Sequence, residues 1–177
     1  MADHTDNALR AAIKALDEVV APALDASNPL AREQLKLVSR YITFLRERNH
    51  YQADRERFEL RHYLALARSL RPHALDCAIP GAGAFDRAID AADTVVDNAD
   101  ARAADLRFAI DGLTTAITML ARRSAAFDAV SRREVEAAVV AASKSLFDVQ
   151  RAFYLPMGFE PAPDLVPDLA QALAVRA

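Results

Sequence analysis

The sequence predicts an all-α fold: an up-down four-helix bundle with short, long, long and short helices, whose long hairpin protrudes to form a second, intersubunit bundle. Three observations predict it. Phe85, Ile89, Ala92, Val96, Ala99, Ala103, Leu106, Ile110, Leu113, Ile117 and Leu120 recur at alternating steps of 4 and 3, with Phe127 seven residues on. Such a heptad seam, free of Pro, reads as one continuous amphipathic helix. Breakers near residues 25–29, 72–83 and 128–131, and Pro156, divide the rest into segments of matching or half that length. Finally, the chain of 177 residues is rich in Ala and holds only 4 Gly, and Ala costs a helix least while Gly costs it about 1 kcal/mol.

The first helix is expected over about 6–25, capped by Thr5 or Asp6, with Leu9, Ile13, Leu16, Val20 and Ala23 forming its apolar stripe. Pro22 lacks a donor and should kink or end it near Val20. Asn28 followed by Pro29 is a strong start signal, since Pro suits the first helical position. The second helix is then expected over 29–71, with Val38, Tyr41, Ile42 and Leu45 early and Tyr63, Leu66 and Leu70 late. Between them the seam turns polar at Asn49, Gln52, Glu56 and Glu59. Two Pro and two Gly from Arg71 to Gly83 mark a connection, and the heptad seam gives a third helix over 84–127. Ser131-Arg-Arg-Glu134 matches a capping box and opens a fourth helix over 132–155, stopped by Pro156. One helical-bundle domain, 1–155, is thus expected, with a Pro-rich tail over 156–177 that ends in a short helix carrying Leu169 and Leu173.

Helix lengths then assign partners. The short first and fourth helices cover only half of each long one, so the hairpin of about 51–71 with 84–102 has no cover from its own chain. Its apolar residues Tyr51, Phe58, Leu60, Tyr63, Leu64, Phe85, Ile89, Val95 and Val96 are therefore expected at a homodimer interface. The other possibility is a monomer in which both long helices break, near residues 50 and 100, and fold back.

Composition narrows function. Basic residues number 22 against 25 acidic ones, a net charge of −3, with no basic block, so nucleic acid is not an expected partner. No window approaches the ~20 apolar residues of a membrane span. A single cysteine, Cys77, and an N-terminus without a basic or apolar leader lead to the expectation of a reducing cytoplasm. No nucleophile triad, phosphate loop or zinc-ligand spacing is present. The leading functional expectation is a homodimeric scaffold or accessory protein, or protein-interaction module, without catalysis of its own and without a cofactor.

The alternative centres on the polar gap from Arg48 to His62. Arg48, Asn49, Gln52, Arg55, Glu56 and Glu59 could line a pocket for a carboxylate or phosphate, since Arg binds both bidentately. Glu59-Leu-Arg-His62 and Glu47-Arg-Asn-His50 both place a carboxylate and an imidazole three residues apart. This E-x-x-H pair resembles the motif of ferritin-like di-metal carboxylate bundles, and the resemblance implies a divalent metal held by Glu56, Glu59 and His62 from two chains. The sequence departs from that pattern in carrying both pairs on one helix and none on the fourth.

Overall fold

The computed structural model describes residues 4–76 and 82–174, and among them there is no β-strand. The helices are α1 (His4–Ala15), α2 (Ala21–Ala23), α3 (Pro29–Arg48), α4 (Gln52–Asp76), α5 (Ala82–Val96), α6 (Ala103–Arg123), α7 (Ala129–Tyr154) and α8 (Leu169–Ala174). The chain divides into two compact units. The first comprises Met1–Gln52 with Phe153–Leu165, and the second Ala53–Ala152 with Val166–Ala177.

In the first unit α1 and α3 run antiparallel. Near one end Arg46 pairs with Asp6 at 3.3 Å, and further along Ser39 donates to the Asp17 carboxylate at 2.8 Å. The effect of Pro22 is visible one turn upstream, where Leu16–Val20 widens into a π-turn before the short α2. A π-turn of this kind accommodates a helix that Pro deprives of a hydrogen bond. Asn28 caps α3 as expected, accepting from the Ala31 amide at 3.0 Å, with Pro29 at the first helical position. Phe44 is packed by Tyr41 on its own helix and by Phe153 and Tyr154, with ring centroids 5.5–6.0 Å apart. Among the described residues of this unit only Phe44 and Phe153 are buried.

In the second unit four helices feed one buried cluster. α4 contributes Leu60, Leu64 and Leu70; α5 contributes Phe85, Ile89 and Ala92; α6 contributes Leu106, Ile110, Leu113, Ile117 and Leu120; α7 contributes Val135. α8 begins at a cap formed by Asp168, which accepts from the Ala170 amide at 2.9 Å, and it buries Leu169 and Ala172.

The largest correction to the leading expectation lies at residues 97–102, where the chain takes the break near residue 100 that the other possibility allowed. The expected helix over 84–127 is two helices, α5 and α6, packed along one another. A Cβ on Gly112 of α6 would stand 4.0 Å from the Ala88 Cβ of α5, which places position 88 beside 112 and makes the pair antiparallel about residue 100. The turn has three local causes. The Asn98 side chain accepts from the Asp100 amide at 2.9 Å, an Asx turn that competes with the helix. The Arg102 and Asp105 side chains form a capping box that starts α6. Arg57 of α4 donates to the Asn98 and Ala99 carbonyls at 3.2 and 2.8 Å, holding the carbonyl end of α5, where positive charge is favoured.

Other boundaries shift for similar reasons. The expected helix over 29–71 is interrupted by a 3₁₀ turn at Asn49–Tyr51 and then runs through Pro72 to Asp76, the extra turn burying Ala74. Residues 77–81, Cys77 among them, lie outside the described residues. α7 begins at Ala129 because Asp128 precedes Ser131 as the cap, accepting from the Val130 and Ser131 amides at 2.8 and 3.0 Å.

The turn at 97–102 also relocates the expected interface. Phe58, Leu60, Leu64, Phe85 and Ile89 are at most 7% exposed within a single chain. Tyr63, Val95 and Val96 are half-buried against the same cluster. Folding α6 back over α5 provides the cover that a second subunit was expected to supply.

Candidate functional site

The polar gap of the second helix falls partly in each unit, and the residues expected to act together are engaged separately. In the first unit, Arg48 closes α3. Its Nε donates to the Phe153 carbonyl at 2.7 Å, and its guanidinium lies 6.0 Å from the centre of the Tyr51 ring. Asn49 is exposed in the 3₁₀ turn and Gln52 is half-buried at the start of α4. This arrangement anchors the chain at Phe153 where α7 ends.

In the second unit, the carboxylates are bound by arginines. Glu56 is 4% exposed, and its Oε1 accepts from Arg107 of α6, with Nε at 2.8 Å and Nη2 at 2.7 Å. Burying a carboxylate is costly unless it is paired, so this cross-helix contact offsets the desolvation. Glu59, one turn on, accepts from Arg55 Nε at 2.8 Å. Arg107 was not part of the sequence reading. Its spacing in the seam makes it an ordinary surface residue, and only the fold-back of α6 brings it over Glu56.

His62 is 5% exposed. It stacks on Phe58 at 5.9 Å and meets Tyr63 edge-on at 5.6 Å. Its Nδ1 lies 3.3 Å from the Ser145 Oγ of α7. Burial pushes its pKa below the ordinary 6.5, against the opposing influence of a hydrogen bond to the Ala142 backbone and the Glu59 charge. The folded chain therefore resists a proton that the unfolded chain accepts, and stability should fall as pH drops below about 6.5. Melting curves at pH 7.5 and 5.5 check this: the wild type should lose more between the two than His62→Gln, and equal losses would contradict the assignment.

Glu56, Glu59 and His62 thus face different partners. No cluster of three or more metal-ligating side chains occurs among the described residues. An open groove of about 740 Å³ runs along α4 and α5 and reaches α8, lined by Phe58, Arg61, Leu64, Arg68, Asp93 and Asp97 with other residues. Arg68 is held by Asp93 at 2.6 Å. With two arginines and two aspartates the groove is charge-balanced, and carries no net attraction for an anion or a cation.

No helix among the described residues is long and apolar enough to cross a membrane. No family model, curated protein or solved structure matches the chain.

Proposed function

We propose that this protein is a helical scaffold that works as a homodimer, a bundle of α4–α7 joined to an α1–α3 hairpin through which two copies associate. The observation that carries the reading is the apolar surface of the hairpin. α1 and α2 contain no buried residue and α3 contains only Phe44, yet Val19, Val20, Leu30, Leu37, Val38, Tyr41 and Leu45 are each 40–68% exposed. Two helices cannot bury both faces of an apolar pair against one another, and exposed apolar side chains gathered on one hairpin are what an interaction surface offers. A stable interface covers roughly 800 Å² per partner around an apolar centre, and these side chains supply such a centre.

The polar residues support a scaffold over catalysis, because their contacts are architectural. Arg57 holds the α5–α6 turn, Arg107 neutralises Glu56 and Arg48 binds the end of α7. Light scattering over a range of concentrations tests the proposal. A species of about twice the 19.3 kDa chain mass is expected at micromolar concentration, and a 19.3 kDa species at every concentration would overturn it.

A further inference from the structure

The self-association surface has a definite geometry. Leu30, Gln34, Leu37, Val38, Tyr41 and Leu45 fall within about 100° of arc around α3 at 100° per residue, and all six are exposed. They form a second stripe, distinct from the face that α1 covers, where Leu35 and Ile42 are half-buried and Ser39 and Arg46 reach Asp17 and Asp6. One edge of the stripe is lined by Glu33, Arg40 and Glu47, all exposed and seven residues apart. Acidic, basic and acidic charges therefore alternate at one heptad position, while the corresponding positions on the other edge, Ala31, Val38 and Leu45, are apolar.

We infer that α3 packs antiparallel on α3 of a second copy, in the register that sets Leu30 against Tyr41 and Gln34 against Leu37. This rests on the homodimer reading above and adds its orientation and partner face. Antiparallel helices bring like heptad edges together, so Glu33 of each copy meets Arg40 of the other, and the two pairs are related by the two-fold axis. A parallel arrangement would set the charged edge against Ala31, Val38 and Leu45 and leave Glu33 and Arg40 without opposite charges. The charge pattern is thus complementary to itself in one orientation only. The same register places the apolar layer Leu30–Tyr41 on either side of the axis, with each Gln34 beside the Leu37 of the other copy as the central polar layer that fixes alignment.

Charge reversal with sedimentation equilibrium tests the register. Glu33→Arg sets like charges together at both ends of the axis, as does Arg40→Glu, and each should weaken self-association about tenfold, the equivalent of ~1.4 kcal/mol. Combining the two reverses both pairs and should restore the wild-type constant to within about threefold. Both positions are exposed, so circular dichroism should show folded chains throughout. A wild-type dimer indifferent to the single changes, or a double variant no tighter than the singles, would overturn the antiparallel register while leaving self-association standing. A wild type that stays monomeric at all concentrations would instead overturn the homodimer reading itself.

Discussion

Replacing Phe85 by Ala should lower the stability of the α4–α7 unit by about 3–5 kcal/mol, the cost of truncating a large aromatic in a packed core, and should leave self-association unchanged. Phe85 is 5% exposed within one chain and belongs to the cluster shared by the four helices of that unit. The two halves of the prediction separate two accounts of the same residue. If α5 and α6 formed one straight helix, Phe85 would face a second subunit, and its truncation would weaken dimerisation and make stability strongly concentration-dependent. Because the chain turns at 97–102, the loss is internal. Urea denaturation followed by circular dichroism, repeated at two protein concentrations a hundredfold apart, should show the same displacement of the midpoint at both. A displacement that grows on dilution would contradict the fold-back.

The second large effect belongs to the other unit. Leu37→Glu should raise the dissociation constant of the dimer by about a hundredfold to ten-thousandfold. Leu37 is 43% exposed in the single chain and lies midway along the α3 stripe. Full burial of a leucine contributes about 1.5–3 kcal/mol; covering the exposed 43% of Leu37 in both copies accounts for roughly 1–3 kcal/mol, and the cost of burying two new carboxylates brings the total to about 3–6 kcal/mol. Since the side chain is outside the intrachain core, the variant should fold and melt like a dissociated wild type. A light-scattering dilution series on variant and wild type reads the change directly. An unaltered dimer mass would move the interface away from α3.

What the sequence revealed, and what it concealed, follows from which residues carry local signals. Asn28-Pro29 and the apolar periodicities of the 29–48 and 103–123 stretches specify their helices through caps and side-chain spacing that act within a turn or two. The α5–α6 turn, the break near residue 100 of the second reading, ranked below a continuous helix because the seam crosses it on Val96, Ala99 and Ala103. A heptad keeps its phase through a six-residue turn as readily as through a helix, and small Ala residues lose little when the seam is broken. The signals that decide the matter, Asn98 as an Asx turn and Arg102 with Asp105 as a capping box, consist of ordinary polar residues within a polar run. Arg57 reinforces them from more than forty positions away, a contact with no local signature.

The candidate site was legible in the same partial way. That Glu56 is unusual could be read from its place in the second helix's seam, and His62 from its spacing to Glu59, and both are buried. Their partners could not, since Arg107 and Ser145 lie 51 and 83 residues away and meet them only after the chain has folded. The hairpin residues expected at an interface are covered within one chain, because the cover comes from α6, whose fold-back has no local signature. Once α6 covers α5, α4–α7 share a buried cluster, whereas α1–α3 have in their unit only the end of α7 and the segment through Leu165 to pack on and bury no residue but Phe44.

Hydroxyl-radical footprinting of the wild type over a dilution series reads whether α3 is the surface on which two copies meet. Leu37, Val38 and Tyr41, 43–52% exposed in the single chain, should be oxidised several-fold more slowly at high concentration than at low. Phe108 and Phe147 of the other unit, 76% and 61% exposed, should be oxidised at the same rate throughout. Protection of Phe108 or Phe147 with none at Leu37, Val38 and Tyr41 would contradict the account, as would a rate at the α3 stripe that ignores concentration.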